Sequence, residues 1–260
     1  MTGDVIDYED HWAGSVDTYR AHPTSRHRRR FIMRRLATIK PGQNTFVFDY
    51  GCGTGLLLEQ IKERFQVAEK NLGGSDISSV GIDKAKTAFP RGEFYVGEYP
   101  RLDRPIDVAI TSEVIEHTAD YRKILAWLAE NLAVGGDLII TTPGGTMDPP
   151  DQYYGHIQHF RLDQLSSILR DLGLEIVTAR NWGFPFFTLQ KWVTKRNFDR
   201  IRERYMHGDL DWKKKLIFTV TFYAYLIHDM IRAGPQIFIH ARKLQQLLDS
   251  SAVRSVEASV

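Results

Sequence analysis

A single thiol, Cys52, is all the cysteine the 260-residue chain contains. One thiol can form no intramolecular disulfide, and it excludes a cysteine-based zinc cluster, so the chain suits a reducing, cytoplasmic setting. A bilayer-spanning run is also missing. The longest apolar stretch, LIFTVTFYAYLIHDMI at 216–231, carries His228 and Asp229 and falls short of the ~20 apolar residues that a span requires. The beginning, MTGDVIDYEDHW, is acidic without an apolar centre and does not read as a signal peptide. There is no internal repeat, no low-complexity segment and little net charge; +2 implies no polyanion partner by itself.

What is present is the composition of an ordinary soluble protein, 43% hydrophobic and 25% charged, long enough for one α/β domain with a full core. Residues 1–40 read as a helical cap, ending in SRHRRRFIMRRLATIKPG, where Pro41-Gly42 stops the helix. Strand-like runs then follow: TFVFDY (45–50), NLGGSD (71–76), EFYVG (93–97), IDVAITS (106–112), DLIITT (137–142), LEIVTAR (174–180) and QIFIHAR (236–242). Between the early ones lie LLLEQIKERF, SSVGIDKAKTAF and ADYRKILAWLAENL, with apolar residues at helical spacing. Such alternation predicts a mainly parallel sheet covered on both faces. The spacing divides one domain, 1–260, into the cap, a core over 41–183, a helical insertion over 184–234, a last strand within 235–245 and a tail over 246–260.

FDYGCGTG, 48–55, is the most informative run. An apolar strand ends at Asp49, and Gly51, Gly53 and Gly55 turn tightly into LLLEQI. Glycines there let backbone approach a ligand, and the following helix start favours an anionic group. Asp76, twenty-one residues past Gly55, falls where an acid takes ribose hydroxyls in a doubly wound fold. A tight strand–helix connection is the plainer reading of the glycines alone. The order acid-x-G-x-G-x-G also differs from the G-x-G-x-x-G of dinucleotide sites, although an NAD-binding or non-catalytic module remains the reading from another class.

From about residue 45 to 181 the chain resembles the class I S-adenosylmethionine-dependent methyltransferases. FDYGCGTG resembles the first motif of that family, SDIS its second-strand acid, NLAVGGDLIITTP its glycine turn and fifth strand, and GPQIFIHARK its antiparallel last strand. The resemblance implies a Rossmann-like, doubly wound, seven-stranded sheet, mostly parallel with an antiparallel last strand, plus N-terminal helices and the helical insertion. It implies that Asp49 and the backbone of Gly51, Cys52, Gly53 and Gly55 hold the methionine end of S-adenosylmethionine. Asp76 would take the ribose, Ile77 would lie against adenine, Glu98 and Tyr99 near the adenine amine, and Thr111, Ser112 and Glu113 near the sulfonium.

TSEVIEHT, 111–118, places Glu113, Glu116 and His117 at i, i+3 and i+4, which on a helix would crowd one face. A metal ion, an arginine or water could separate the two acids. The run resembles two metal-dependent branches of the family, the ubiquinone-biosynthesis O-methyltransferases and the small-RNA 3′-terminal 2′-O-methyltransferases. That resemblance implies a divalent ion (Mg, Mn, Fe or Zn) on Glu113, Glu116, His117 and His156, with His159 as a further candidate ligand or a helix-capping group. Its O/N donor set suits those metals, and a cation would lower the pKa of an acceptor hydroxyl. The plain alternative is solvated acids with His117 or His156 acting as general base.

Two other runs carry partner hypotheses. RHRRRFIMRR, 26–35, packs seven cations, counting His27, into ten residues; it reads as a solvated helix face in preference to an anion or nucleic-acid site. WKKKLIFTVTFYAYLIHDMI, 212–231, reads as a lid or dimer helix, with contact to a membrane interface as the sharper reading. GFPFFTLQKW, 183–192, adds aromatics that would roof an acceptor pocket. The expectation is methyl transfer to a hydroxyl of a small molecule, a sugar, phenol, natural-product or lipid-linked intermediate. RNA 2′-O-methylation and metal-free catalysis by a histidine base are the alternatives, and monomer and dimer are both open.

Overall fold

The computed structural model describes residue 9, residues 16–198 and residues 210–244. The expected tail over 246–260 and most of the first fifteen residues therefore lie outside the described residues. Two helices lead in, α1 (Val16–Ala21) and α2 (Pro23–Ile39). Pro23 opens α2, where a missing N–H costs nothing, and Lys40 closes it in a left-handed conformation with its N–H on Leu36 O.

The sheet then builds as the alternation predicts: β1 (Val47–Tyr50), α3 (Leu56–Phe65), β2 (Leu72–Asp76), α4 (Ser79–Ala88), β3 (Glu93–Val96), β4 (Ile106–Ser112), α5 (Tyr121–Asn131) and β5 (Leu132–Pro143). A short α6 (Pro149–Tyr153), α7 (Leu162–Asp171), β6 (Leu174–Trp182), α8 (Phe186–Arg196), α9 (Trp212–Ala224) and β7 (Gln236–Lys243) complete the described chain. The strands lie in the order β3-β2-β1-β4-β5-β7-β6. The first five pair in parallel, whereas β7 runs antiparallel between β5 and β6. All seven strand-like runs form strands of this one sheet. The insertion over 184–234 contributes α8 and α9, with 199–209 outside the described residues.

Strand period two sorts the apolar residues onto two faces. Phe46, Phe48, Ala109, Leu138 and Ile140 pack with α5 and α7 residues such as Leu125, Leu128, Leu165 and Leu169. Val47, Val108, Ile110 and Ile139 point the other way, against Ile32 and Leu36 of α2, Leu58 and Ile61 of α3, and Ile82 of α4. The carboxyl ends of β1, β2 and β4 thereby converge on one rim, the place where ligands sit in open α/β sheets.

Candidate active site

At that rim the glycine run leaves β1 and folds back on β2. Gly51 N and Cys52 N both donate to Ser75 O, at 2.7 and 3.0 Å, and Gly53 N donates to the Asp76 carboxylate at 2.8 Å. Gly51 sits at φ 80°, and a Cβ there would fall 2.3 Å from Val114 Cγ2. On the facing strand a Cβ at Gly74 would lie 2.7 Å from Cys52 Cβ, so β2 carries glycine where the loop passes over it. Asp76 also accepts from Ser78 N at 2.9 Å, which fixes the carboxylate at the strand end. Burial, together with nearby Asp76, holds the Asp49 carboxyl well above its ordinary range, and burial also raises Asp76. Glu9 reaches in from the N-terminal segment and accepts from Ser78 Oγ at 2.8 Å, Ser79 N at 2.9 Å and Val80 N at 3.0 Å, binding the start of α4.

These groups border a cavity of about 1430 Å³, larger than the ~300–1,000 Å³ of typical ligand pockets. Its wall includes Asp49, Gly51, Cys52, Asp76, Ile77, Glu98, Ser112, Glu113, His117 and His156, uniting the expected cofactor end with the expected acceptor end. Ile77 is 60% exposed into it, a free apolar edge suited to a planar base. Tyr99 is not on that wall; its ring packs at the core, with Lys123 Nζ 4.3 Å from its centroid. Gly53 and Gly55 lie behind the wall and shape the loop instead of lining it.

The Glu113–His117 run corrects an expectation. It is no α-helix: Glu113 adopts φ 60°, and only Ile115–His117 forms a single 3-10 turn. Helical spacing therefore does not position the three side chains. Glu113 N donates to Thr141 O at 2.9 Å, while its carboxylate accepts from Thr141 Oγ1 at 3.1 Å and pairs with Arg28 at 3.1 Å. An arginine therefore answers the first acid. Burial raises Glu113, opposed by Arg28.

The basic run is a solvated face only in part: Phe31 and Ile32 turn inward and Arg34 is exposed, but most of its cations are engaged. His27 and Arg29 are buried, Arg28 reaches the site, Arg30 and Arg34 pair with Asp229, and Arg26 stacks on Phe222. Arg29 gives one N–H to Arg20 O at 2.6 Å, but its Nε and Nη1 have no hydrogen-bond partner among the described residues, and the residue lines the cavity.

Glu116 is fully buried. Its Oε2 accepts from Thr142 Oγ1 at 2.9 Å, while Oε1 has no hydrogen-bond partner among the described residues. Burial, then the charge of Glu113, pushes this acid well above the ordinary carboxyl range. His117 Nε2 lies 3.9 Å from Glu116 Oε1, and the rings of His117 and His156 meet edge-on, centroids 4.8 Å apart. Burial lowers both imidazoles, His156 to about 3, so both are neutral at pH 7.

Two donor sets follow among the described residues, Glu116/His117/His156 and Asp151/His156/His159, each with donor atoms within 4.8 Å of one another. Glu113 belongs to neither, so the expected five-residue ligand set divides. His159 faces His156 at 3.0 Å and Asp151 at 3.8 Å, which makes it a neighbour of the first set and a member of the second. Arg28 and Arg29 lie in the run expected to be solvated, and Asp151 is a site residue that no site motif in the sequence points to. For Asp151 the spacing DPPD at 148–151 was the available signal, since Asp148 and Asp151 form a capping box at α6.

A glycine turn with an acid at the end of the second strand opens here beside a half-buried donor set, an arrangement that suits a nucleotide cofactor. Comparison with known proteins names the class. A family profile described as a methyltransferase domain matches residues 24–179, more than half of the chain. The chain belongs to this family, as a class I S-adenosylmethionine-dependent methyltransferase. It is 32% identical over 116 residues to a ubiquinone biosynthesis O-methyltransferase from Caulobacter, covering 41% of this chain and 44% of that one. It is likewise 32% identical over 98 residues to a trans-aconitate 2-methyltransferase from Deinococcus radiodurans, covering 37% of each. The chain thus spans less than half the length of either. Among solved structures, a putative sarcosine dimethylglycine methyltransferase from Galdieria sulphuraria superposes with a TM-score of 0.60 at 16% identity, covering 85% of this chain and 86% of that one; the likeness is one of fold.

Proposed function

We propose that the chain transfers the methyl group of S-adenosylmethionine to a hydroxyl of a small acceptor, with a divalent cation held by Glu116, His117 and His156. The observation that carries this reading is Glu116 Oε1, a fully buried carboxylate oxygen with no hydrogen-bond partner among the described residues, beside two neutral imidazoles. An unmatched buried acid is costly; a cation between it and two imidazole nitrogens relieves that cost and suits their mixed O/N chemistry. The residues present therefore fit such an ion. When bound it would lower the pKa of an acceptor hydroxyl.

The chain's own groups set up the rest. Asp76 and the backbone of the glycine turn fix the nucleoside end, with Ile77 beneath the base. Ser112 Oγ is tied to Thr141 Oγ1 at 2.8 Å, and Thr141 also holds Glu113, so the end of β4 is rigid where the two substrates meet. Arg28 pairs with Glu113 and opposes the rise that burial imposes on this carboxyl, and Glu113 belongs to neither donor set. The roof, from Phe186 and Phe187 to Phe218 and Tyr225, is aromatic and apolar, which favours a small acceptor over RNA. A second reading uses the same site without a cation: His117 is neutral at pH 7, as a general base must be before it takes a proton.

The test is transfer of labelled methyl from S-adenosylmethionine to a panel of phenols, sugars, prenylated quinols and a 3′-diol RNA, with and without EDTA. We expect label on a hydroxylated small molecule, lost with chelator and restored by Mn, Zn or Mg. Glu116→Gln should cost ~10²-fold or more in rate. Turnover untouched by exhaustive chelation would leave the histidine-base reading, and label on RNA alone would overturn the small-acceptor reading.

A further inference from the structure

We propose that α8 and α9 form a docking surface for a bilayer containing anionic lipid, and that the cavity opening between them takes an apolar acceptor from that bilayer. The acceptor half of this inference rests on the methyl-transfer reading; the docking half does not.

Helix α8 carries Phe186, Phe187, Leu189, Trp192 and Val193, yet not one of its residues is buried. In α9 only Lys214 and Phe218 are buried, while Trp212, Leu216, Ile217, Val220 and Tyr223 are exposed. Just beyond it Met230 is 85% exposed. An amphipathic helix on a water-facing surface turns its apolar side to the core. Here large apolar side chains face outward on both helices, exposed apolar surface of the kind that marks an interaction site.

Two observations select the occupant. The first is charge. The segments 184–197 and 212–227 contain six Lys or Arg residues and no Asp or Glu. Lys191 and Lys195 are committed to Asp148 and Asp151 and Lys214 is buried, which leaves Arg196, Lys213 and Lys215 exposed among the aromatics. Arg196 lies over the Trp192 ring at 4.0 Å and Lys213 near that of Trp212 at 5.6 Å. Tryptophan beside a long cation is the pairing that sits at headgroup depth, ring in the acyl boundary and charge on lipid phosphate. A second copy of the chain on the same face would set Arg196, Lys213 and Lys215 against their own kind; Asp211, the exposed acid beside them among the described residues, is engaged at the start of α9 by Lys214 N at 2.7 Å.

The second is continuity with the cavity. Leu189 and Val193 of α8 and Ile217 and Val220 of α9 line it and are exposed as well. These four apolar side chains thus belong both to the outer surface and to the cavity wall, which they share with Gln190, Lys191, Thr194 and Thr221 of the same helices. The helices cannot instead cross a bilayer: none among the described residues is long and apolar enough. The thirteen residues of α9 span ~20 Å at ~1.5 Å per residue, against ~30 Å of hydrocarbon. They would lie in the interface plane.

Flotation of the full chain with vesicles of phosphatidylcholine alone, and of phosphatidylcholine mixed with phosphatidylglycerol, tests the docking. The chain should float with the mixed vesicles at low salt and release as salt rises. Lys213→Glu with Lys215→Glu should reduce bound protein by ~10-fold or more. The triple variant Trp192→Ser, Leu216→Ser, Met230→Ser should abolish flotation while calorimetric titration with S-adenosylmethionine is unchanged, since none of the three lines the cavity. A chain that stays with the pellet in mixed vesicles overturns the inference, as does flotation that the triple variant retains. Sedimentation showing a dimer that this variant dissolves would assign the face to a second copy instead. Loss of S-adenosylmethionine binding in the parent chain would strike the cofactor reading alone.

Discussion

Gly51 and Val114 meet so closely that the loop's geometry can be tested with one methyl group. A Cβ at position 51 would stand 2.3 Å from Val114 Cγ2 on a backbone already at φ 80°. Gly51→Ala should therefore cost ~1–3 kcal/mol of stability from strain alone and weaken S-adenosylmethionine binding, because Gly51 N and Cys52 N would be pulled from Ser75 O. Adding Val114→Ala removes the clash but not the strain, so the double variant should melt between the two; equal melting of single and double variants would refute the contact. Asp76 gives a cleaner cofactor test. Its carboxylate already accepts from Gly53 and Ser78, and Asp76→Asn keeps the shape while removing charge. Charge-assisted hydrogen bonds are worth ~1.5–3 kcal/mol, so the dissociation constant for S-adenosylmethionine should rise ~10- to 100-fold by calorimetry. An unchanged constant would move the ribose elsewhere.

Among the elements, α2 is the one that joins the site to the rest of the fold. It places Arg28 on Glu113 across the top of β4, and both groups are largely withdrawn from solvent. Removing one partner of such a pair costs ~3–5 kcal/mol, since the other is left as an uncompensated buried charge. Arg28→Met should accordingly destabilise strongly in urea melts, and Glu113→Gln in the same chain should recover much of the loss. Additive losses would mean the two residues act independently. This contact also explains what could be read in the sequence and what could not. The strand FDYGCGTG, its helix and Asp76 were legible because strand, turn and helix are contiguous and each carries its own period. The misread helix at Glu113–His117 has local spacing that suits a helix; the backbone is set instead by Thr141 and Arg28, from β5 and from 85 positions earlier. Nothing local announces such partners. For the same reason the arginine run looked solvated: its composition was plain, but the side of α2 that meets the sheet depends on packing against Trp182, Tyr225 and Phe238, which no short window contains.

At the scale of the whole molecule, α2 also seals the other end of the helical insertion, with consequences for acid stability. His27 is fully buried against Phe31, Trp182, Tyr225 and His228, and neither ring nitrogen of His27 or His228 has a hydrogen-bond partner among the described residues. Burial, reinforced for His27 by His228, Arg30 and Arg180 and opposed by Asp229, lowers His27 to about 3; burial, with Arg180 adding and Asp229 opposing, lowers His228 to about 4. In the unfolded chain both titrate near ~6.5. The folded state thus declines protons that the unfolded state accepts, and stability falls as pH drops from ~6.5 toward ~4, while above ~7 these groups contribute no slope. Each histidine held neutral adds a slope of up to ~1.4 kcal/mol per pH unit inside that window. Urea melts at about pH 7 and about pH 5 should show the loss, and His27→Leu, which fills the aromatic nest without a titrating group, should lose less between the two pH values than the parent. A parent whose midpoint is as high at the acid end, or a variant that loses as much, would show that the junction of α2 with the insertion admits protons, and that the seal over the cavity is looser than these ring contacts describe.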